Sequence, residues 1–233
     1  MIINRITLFG LLALFFCLGG AGCVPVGEQV SGNNPEVTRW LNPLVFDQNV
    51  DIDESLHDTT FEILFAGSDG GEFTVTNCFD VFALGDTAIA QHEFTRWEWL
   101  KSSCAAASWY YRSPELAVSY WDNSFNLDLL KRFPATAIPY LGGQGLDGRN
   151  GNLAEQEPEL KLIEFDENSV KVALGDRVIN YVVLARGDFN RDGYQDLFIR
   201  LEWYIASAFS EGFDWVVLTK LSPSAQPVML WRK

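Results

Sequence analysis

The sequence predicts an α+β fold, with an antiparallel sheet meander in the carboxy-terminal half and one or two helices packed on one side of it. Two observations lead to this prediction. Residues 160–231 alternate short runs rich in Val, Ile, Leu and aromatic residues with turn-forming residues, which is typical of about six antiparallel strands. Residues 87–108 instead repeat their apolar side chains at helical spacing, and this spacing indicates a helix.

Shorter signals complete the order of the elements. The apolar runs 61–66 and 72–76 flank a glycine-rich turn, and this pattern predicts a hairpin. The main helix follows over 87–108. A second, short helix fits residues 124–133, because Pro134 cannot continue it. The predicted helices therefore precede the meander in the chain.

Oxygen-bearing side chains alternate in one predicted turn of the meander. Asp188, Asn190, Asp192 and Asp196 occupy positions 1, 3, 5 and 9 of a loop that turns at Gly193. Alternate side chains of a tight loop converge on one point, and Ca2+ takes about six to eight oxygen ligands, so the loop predicts a calcium site. Two simpler interpretations stay open: an Asx-rich turn without a metal, and an ion that only staples the hairpin.

The spacing of this loop separates it from the EF-hand, which needs a Glu at position 12, where this chain has Ile199. Strand-like runs at 178–185 and 197–205 place the loop in a hairpin. In this setting it resembles the calcium-binding loop of FG-GAP/VCBS repeats, the β-propeller blades of integrin α chains. The resemblance implies that the four side chains and the backbone carbonyl of Tyr194 are the ligands. A propeller needs about four or more blades, and the loop occurs once, so a complete propeller is not expected.

The amino terminus has the order of a secretory signal. Arg5 precedes the apolar run 6–18, and small residues follow, so residues 1–22 are predicted to be a signal peptide and the protein to be exported. Gly20-Ala21-Gly22-Cys23 resembles a bacterial lipobox, with Gly where that motif usually has Leu. The resemblance implies that Cys23 is lipidated. The alternative is an uncleaved membrane anchor, since the apolar segment approaches the length of a bilayer span.

The residue after the predicted lipidation site sets the expected destination. Val24 stands where an Asp would retain a lipoprotein at the inner membrane, so the resemblance implies an outer-membrane anchor facing the periplasm. Residues 23–43 contain several Pro and Gly among polar residues and predict a lipidated terminus followed by a flexible tether. Residues 44–233 are predicted to form a single calcium-stabilised domain.

Charge and cysteine content agree with an exported protein. The formal net charge is −14, and such an acidic surface repels phosphate backbones, so nucleic-acid binding is not expected. Cys78 and Cys104 are the two cysteines in the predicted domain, and an oxidising compartment favours a disulfide between them. Two buried free thiols are the alternative.

Catalytic motifs are sparse. His92-Glu93 begins like a zinc-protease helix motif, but Arg96 occupies the position of its second His, and His57 is the other histidine of the chain. Neither metal-dependent hydrolysis nor a His-based triad is therefore predicted. Abundant Asp and Glu keep one enzymatic alternative open, a periplasmic hydrolase that acts on cell-wall or polysaccharide substrate through a carboxylate pair.

Aromatic residues in the middle third suggest a contact surface. Trp97 and Trp99 lie two positions apart on the predicted helix, so they cannot both face the core. One of them is a candidate contact for a protein or glycan partner, whereas the simpler interpretation is that the aromatic residues fill the core. The predicted function is that of a non-enzymatic envelope lipoprotein with a calcium-stapled hairpin and such a partner.

Overall fold

The computed structural model describes residues 35–41, 60–141, 146 and 148–233, which belong to one unit, Ser31–Lys233. Helices α1 to α4 span Cys78–Ala83, Phe94–Tyr110, Leu127–Lys131 and Leu153–Gln156. Strands β1 to β5 span Pro35–Val37, Arg39–Trp40, Ile63–Ala66, Glu72–Val75 and Leu116–Val118. Strands β6 to β11 span Lys161–Phe165, Ser169–Leu174, Arg177–Gly187, Asp196–Ile205, Ser210–Thr219 and Val228–Arg232.

The main sheet is an antiparallel meander in which β6 to β11 lie side by side in chain order. This arrangement confirms the predicted fold class and the predicted carboxy-terminal meander. Strand β2 pairs with the end of β8, next to β7, and makes the sheet seven-stranded. The central strands β8 and β9 are paired from Arg177 opposite Ile205 to Gly187 opposite Asp196, with a register shift between Val183 and Ala185. The predicted hairpin at 61–76 is also present, as β3 and β4.

Both faces of the sheet are covered. Successive side chains of a strand point to opposite faces, and in β9 Phe198 belongs to one buried cluster while Leu197 and Ile199 belong to the other. The Phe198 side packs against α2, which agrees with the predicted helix on one side. The Leu197 side packs against residues of α3 and α4, so the structure adds short helices on the opposite face.

A disulfide joins Cys78, the first residue of α1, to Cys104 in α2, with their Cα atoms 5.3 Å apart. Both cysteines are completely buried in the cluster on the α2 side of the sheet. The predicted pairing is confirmed. It ties the short helix, which has little core of its own, to the longest helix of the fold.

The main helix begins later than the sequence predicted. Its start at Phe94 follows two short 3-10 turns, Asp86–Ala88 and Gln91–Glu93. The chain between these turns is extended because Ile89 forms a β-bridge with Gly67. A residue held in a bridge to the β3–β4 hairpin cannot also be helical.

The second predicted helix is shorter than expected as well. Helix α3 begins after Asn126, whose side chain accepts a hydrogen bond from the backbone N–H of Leu129 at 2.9 Å and caps the helix. The predicted span 124–133 therefore extended too far at both ends.

The tether predicted over 23–43 extends too far at its carboxy-terminal end. Strand β1 pairs with β5, and β2 pairs with β8, so residues 35–40 belong to the fold. Thr38 between them is buried and donates its hydroxyl to the Pro114 carbonyl at 2.6 Å. The predicted signal peptide and Cys23 lie outside the described residues.

Among the helices that the structure describes, each is too short or too polar to cross a membrane.

Candidate calcium loop and ligand cleft

The predicted calcium loop joins the two central strands of the sheet. It leaves β8 at Gly187 and enters β9 at Asp196, and these two residues are register partners. Arg191 and Gly193 have left-handed backbone angles, with φ of 63° and 89°. Gly tolerates this conformation without steric cost, and this explains the glycine at the turn of the loop.

Backbone N–H groups inside the loop already bind its acidic side chains. The Asp188 carboxylate accepts hydrogen bonds from the N–H groups of Asp192 at 2.9 Å and Gly193 at 2.8 Å. Asp192 accepts from the Tyr194 N–H at 2.9 Å and from the Asn190 side-chain amide at 2.8 Å. These contacts gather three of the predicted ligands around one turn. They also form the hydrogen bonds of an Asx-rich turn, so this part of the geometry does not by itself distinguish the two interpretations.

Asp196, the fourth predicted side-chain ligand, is different because it is completely buried. Its Oδ2 accepts from the Phe189 N–H at 2.8 Å, whereas Oδ1 has no hydrogen-bond partner among the residues that the structure describes. The hydroxyl of Thr219 lies opposite Asp196 in β10, close enough to favour the ionised form of the Asp196 carboxyl but without the geometry of a hydrogen bond. Within the described part of the chain, this hydroxyl also has no hydrogen-bond partner. A buried carboxylate oxygen without a partner is rare, and a bound cation would satisfy it.

The electrostatics of Asp196 agree with this geometry. Burial raises the pKa of its carboxyl to about 7; the contacts with Thr219 and the Phe189 N–H oppose this rise in part, and the nearby Asp192 and Asp188 carboxylates add a smaller increase. A cation in the loop would offset both the burial and the repulsion.

The donor set of the loop fits calcium rather than zinc. It consists of three carboxylates and one amide, all oxygen donors, with the Tyr194 carbonyl in addition. Within the described ranges, no group of three or more His, Cys, Asp or Glu side chains is arranged as a metal site. A calcium site here would therefore depend on the amide and the carbonyl as well as on the carboxylates.

The outer side of the loop is anchored to two other elements. The N–H of Val118 in β5 donates to the Gly193 carbonyl at 2.9 Å, and the Gln195 N–H donates to the Val118 carbonyl at 2.9 Å. The Arg191 side chain donates to the Arg112 carbonyl, beyond the end of α2, at 3.0 Å. Arg191 therefore points away from the carboxylates.

A cleft of about 390 Å³ lies on the same face of the sheet as α2. Its walls come from the first half of α2 and from strands β7 to β10. Aromatic rings and hydrogen-bonding side chains share its lining, which consists of Thr95, Trp99, Lys171, Val178, Asn180, Glu202, Trp203, Tyr204, Glu211, Gly212 and Phe213. Such a mixture is typical of a small-ligand site.

A buried arginine orders the polar wall of the cleft. Arg200 is 2% exposed, and its guanidinium donates twice to Glu202 Oε1, at 2.9 Å and 2.6 Å. The Asn180 amide donates to the other oxygen of Glu202 at 2.9 Å. The guanidinium also lies 5.5 Å from the Trp99 ring centre, in a cation–π contact. Arg200 thus fixes the positions of the Glu202 carboxylate and of the Trp99 ring. Through Glu202 it also fixes the position of the Asn180 amide.

The two tryptophans singled out in the sequence have different environments. Trp97 is completely buried and donates its indole N–H to Asp86 at 2.9 Å, so it belongs to the core and cannot contact a partner. Trp99 is partly exposed and lines the cleft.

Sequence reasoning missed the polar wall of the cleft. Its signal was present in β9, where Arg200 and Glu202 alternate with buried apolar residues and so share one face of the strand. Charged residues at alternate positions of a central strand are uncommon, because that strand is covered on both sides.

Comparison with protein-family models, curated proteins and solved structures found no match for this chain. The functional interpretation therefore depends on the geometry of the loop and of the cleft.

Proposed function

We propose that this chain is an exported, lipid-anchored envelope protein that binds a glycan in the α2-side cleft and uses a calcium ion to staple the sheet. The observation behind the binding function is the Arg200–Glu202–Asn180 arrangement beside Trp99. A binding site needs side chains that are already held in place, because ordering them at the moment of binding costs free energy.

The chemistry of the cleft suits a sugar. An aromatic ring offers an apolar face on which the C–H face of a pyranose can stack, and Trp99, Tyr204 and Phe213 all line the cleft. Carboxylate and amide groups pair with hydroxyls as acceptors and donors, and Glu202 and Asn180 supply both. A protein partner is less suited to this site, since a stable protein interface buries about 800 Å² on each partner and is seldom confined to one small cleft.

The proposed calcium ion has a structural role. Bound in the loop, it would supply positive charge to the carboxylates of Asp188, Asp192 and Asp196. The unpartnered, buried Oδ1 of Asp196 supports this assignment. So does the resemblance of the loop to FG-GAP/VCBS repeats, which extends to these three aspartates. The ion would hold together the ends of β8 and β9, the two central strands of the sheet.

A hydrolase is the alternative function, because Glu202 and Glu211 both line the cleft. Both oxygens of Glu202 are engaged, one by Arg200 and the other by Asn180. A carboxylate whose two oxygens already accept hydrogen bonds from neighbouring side chains is poorly placed to transfer a proton to a substrate. This geometry favours binding over hydrolysis.

The test is binding of the purified protein to peptidoglycan sacculi by co-sedimentation and to soluble oligosaccharides by calorimetry. We expect the wild type to bind, and Trp99→Ala to weaken its affinity about tenfold, the effect of a loss of about 1.4 kcal/mol. Tyr140→Ala removes an aromatic ring that is 50% exposed but does not line the cleft, and it should leave the affinity unchanged.

Two results would contradict the proposal. Binding that is equally strong in Trp99→Ala would place the glycan elsewhere, and no binding to any glycan would remove the function. Release of reducing ends by the wild type, lost in Glu211→Gln, would instead identify a hydrolase.

A further inference from the structure

A second cavity, of about 440 Å³, lies at the end of β8 where β2 pairs with it. Its lining is mostly polar and comes from the β1–β2 segment, β8, the β6–β7 turn, the chain after β5 and the end of the β8–β9 loop. The lining includes Arg39, Arg186, Glu36, Glu167, Ser119 and Gln195. None of them lines the α2-side cleft.

Two arginines face each other across the paired strands of this cavity. Arg39 of β2 and Arg186 of β8 are direct register partners in an antiparallel pair. Side chains at such positions have Cβ atoms about 5 Å apart, and like charges there destabilise the pair. The fold therefore tolerates a repulsion that a different residue at either position would remove.

Acidic neighbours compensate the two positive charges unequally. Arg39 pairs with Glu36 at 3.4 Å, with both side chains largely exposed. Arg186 is half-buried, and among the described residues its guanidinium makes no hydrogen bond or ion pair. Two acidic residues, Glu36 and Glu167, line the same cavity. A partly buried guanidinium without a partner is costly unless an anion binds it.

The remaining walls of the cavity provide uncharged hydrogen-bonding groups in fixed positions. Gln195 is 2% exposed, and its side-chain oxygen accepts a hydrogen bond from the Ser119 hydroxyl at 3.0 Å. The Trp121 indole N–H donates to the Gln195 carbonyl at 2.5 Å. Rigid polar walls beside an unpaired guanidinium have the features of a built ligand site.

We propose that this cavity binds a small ligand through a singly charged carboxylate, which pairs with the Arg186 guanidinium and is assisted by Arg39. The planar fork of a guanidinium matches a carboxylate with two parallel hydrogen bonds. Phosphate offers similar oxygens, but at neutral pH it brings additional negative charge next to Glu36 and Glu167. The acidic neighbours thus favour a monoanion. The proposal does not depend on the glycan function, because the two cavities share no residue.

The experiment is calorimetry and thermal denaturation of the purified protein in a chloride buffer, with acetate, glucuronate, glucuronate methyl ester and inorganic phosphate as probes. We expect glucuronate or acetate to bind and to raise the melting temperature, and the uncharged ester to do neither. Arg186→Gln should weaken carboxylate binding about tenfold or more, the usual effect of removing a charged partner. Arg177→Gln, on the same strand but outside the cavity, is the matched control and should bind like the wild type.

The melting temperature of Arg186→Gln distinguishes a ligand-binding role of Arg186 from a purely structural role. Arg186→Gln removes the repulsion with Arg39, so without a ligand it should melt at the same temperature as the wild type or higher. A variant that melts lower while binding carboxylates normally would show that Arg186 is only structural. Equal binding of phosphate and glucuronate would overturn the preference for a monoanion, and no binding of either carboxylate would overturn the site.

Discussion

Replacing Asp196 by Asn tests the calcium loop at its most informative atom. Asn has nearly the same shape, so the change removes one negative charge without opening a cavity. Its side-chain carbonyl can still accept the Phe189 N–H, and its amide can donate to the Thr219 hydroxyl, which is unpartnered in the wild type. We therefore expect Asp196→Asn to be more stable than the wild type without calcium and less stable than the wild type with calcium.

The expected changes in unfolding free energy differ between the calcium-free and the calcium-bound protein. Without calcium, an ionised Asp196 leaves one buried oxygen unpaired, which costs about 1–3 kcal/mol, so Asp196→Asn should be the more stable protein by about 1 kcal/mol or more. With Ca2+ at about 100 times its Kd, the wild type should gain about 2.7 kcal/mol of unfolding free energy. For a domain of this size that gain raises the melting temperature by about 5–11 °C. The variant should lose most of the gain, because it lacks one anionic ligand.

The assay is a calcium titration of the melting temperature, starting from protein treated with a chelator. It is carried out at pH 8, above the pKa of about 7 that burial gives Asp196. Glu159→Gln, which removes the charge of an exposed glutamate, controls for net charge and should respond like the wild type. If the wild type and Asp196→Asn respond equally to calcium, the loop is an ordinary Asx-rich turn and the calcium assignment is refuted.

Three further predictions concern the anchor, the disulfide and one ion pair. Cys23→Ser should release the protein from the membrane fraction or block its maturation, as seen by fractionation and immunoblotting; unchanged retention with normal processing would rule out lipidation. Replacing both Cys78 and Cys104 by Ala should cost about 3.5 kcal/mol in urea unfolding, because the bond closes a loop with a sequence separation of 26, and a loss below 1 kcal/mol would contradict this estimate. Hydrogen bonds from Lys101 and Trp97 lower the pKa of Asp86, so its charge stabilises the fold above the unfolded pKa of 3.8, and this stabilisation is lost as pH falls below that value. Asp86→Asn should therefore lose up to about 1 kcal/mol at neutral pH and converge with the wild type in acid; an equal deficit at both pH values would point to a packing effect.

Local patterns predicted much of this fold. The meander, the β3–β4 hairpin and the presence of α2 follow from alternation, glycine-rich turns and helical spacing, which depend on near neighbours in the chain. The boundaries were less accurate, since the start of α2 at Phe94 depends on the bridge between Ile89 and Gly67, and such a bridge has no local signal. Strands β1 and β2 were missed for the same reason, because their partners are the distant β5 and β8.

The candidate loop and the α2-side cleft also differ in whether local sequence patterns predict them. The sequence by itself located the candidate calcium loop, because its predicted donors lie within nine consecutive residues, Asp188 to Asp196. It also identified both cysteines of the disulfide, since the predicted domain contains no others. The calcium ion itself, the lipid anchor and the glycan stay predictions.

The tertiary structure alone decided which surfaces are available for binding. Arg200 contacts the hydroxyl of Ser102 across a separation of 98 residues, and it is this packing of α2 on β9 that places Trp99 beside Glu202. The pairing of Arg39 with Arg186 likewise depends on β2 pairing with the end of β8. Strand periodicity states which side chains share a face, but only the packing of distant elements determines what covers that face and where it stays open.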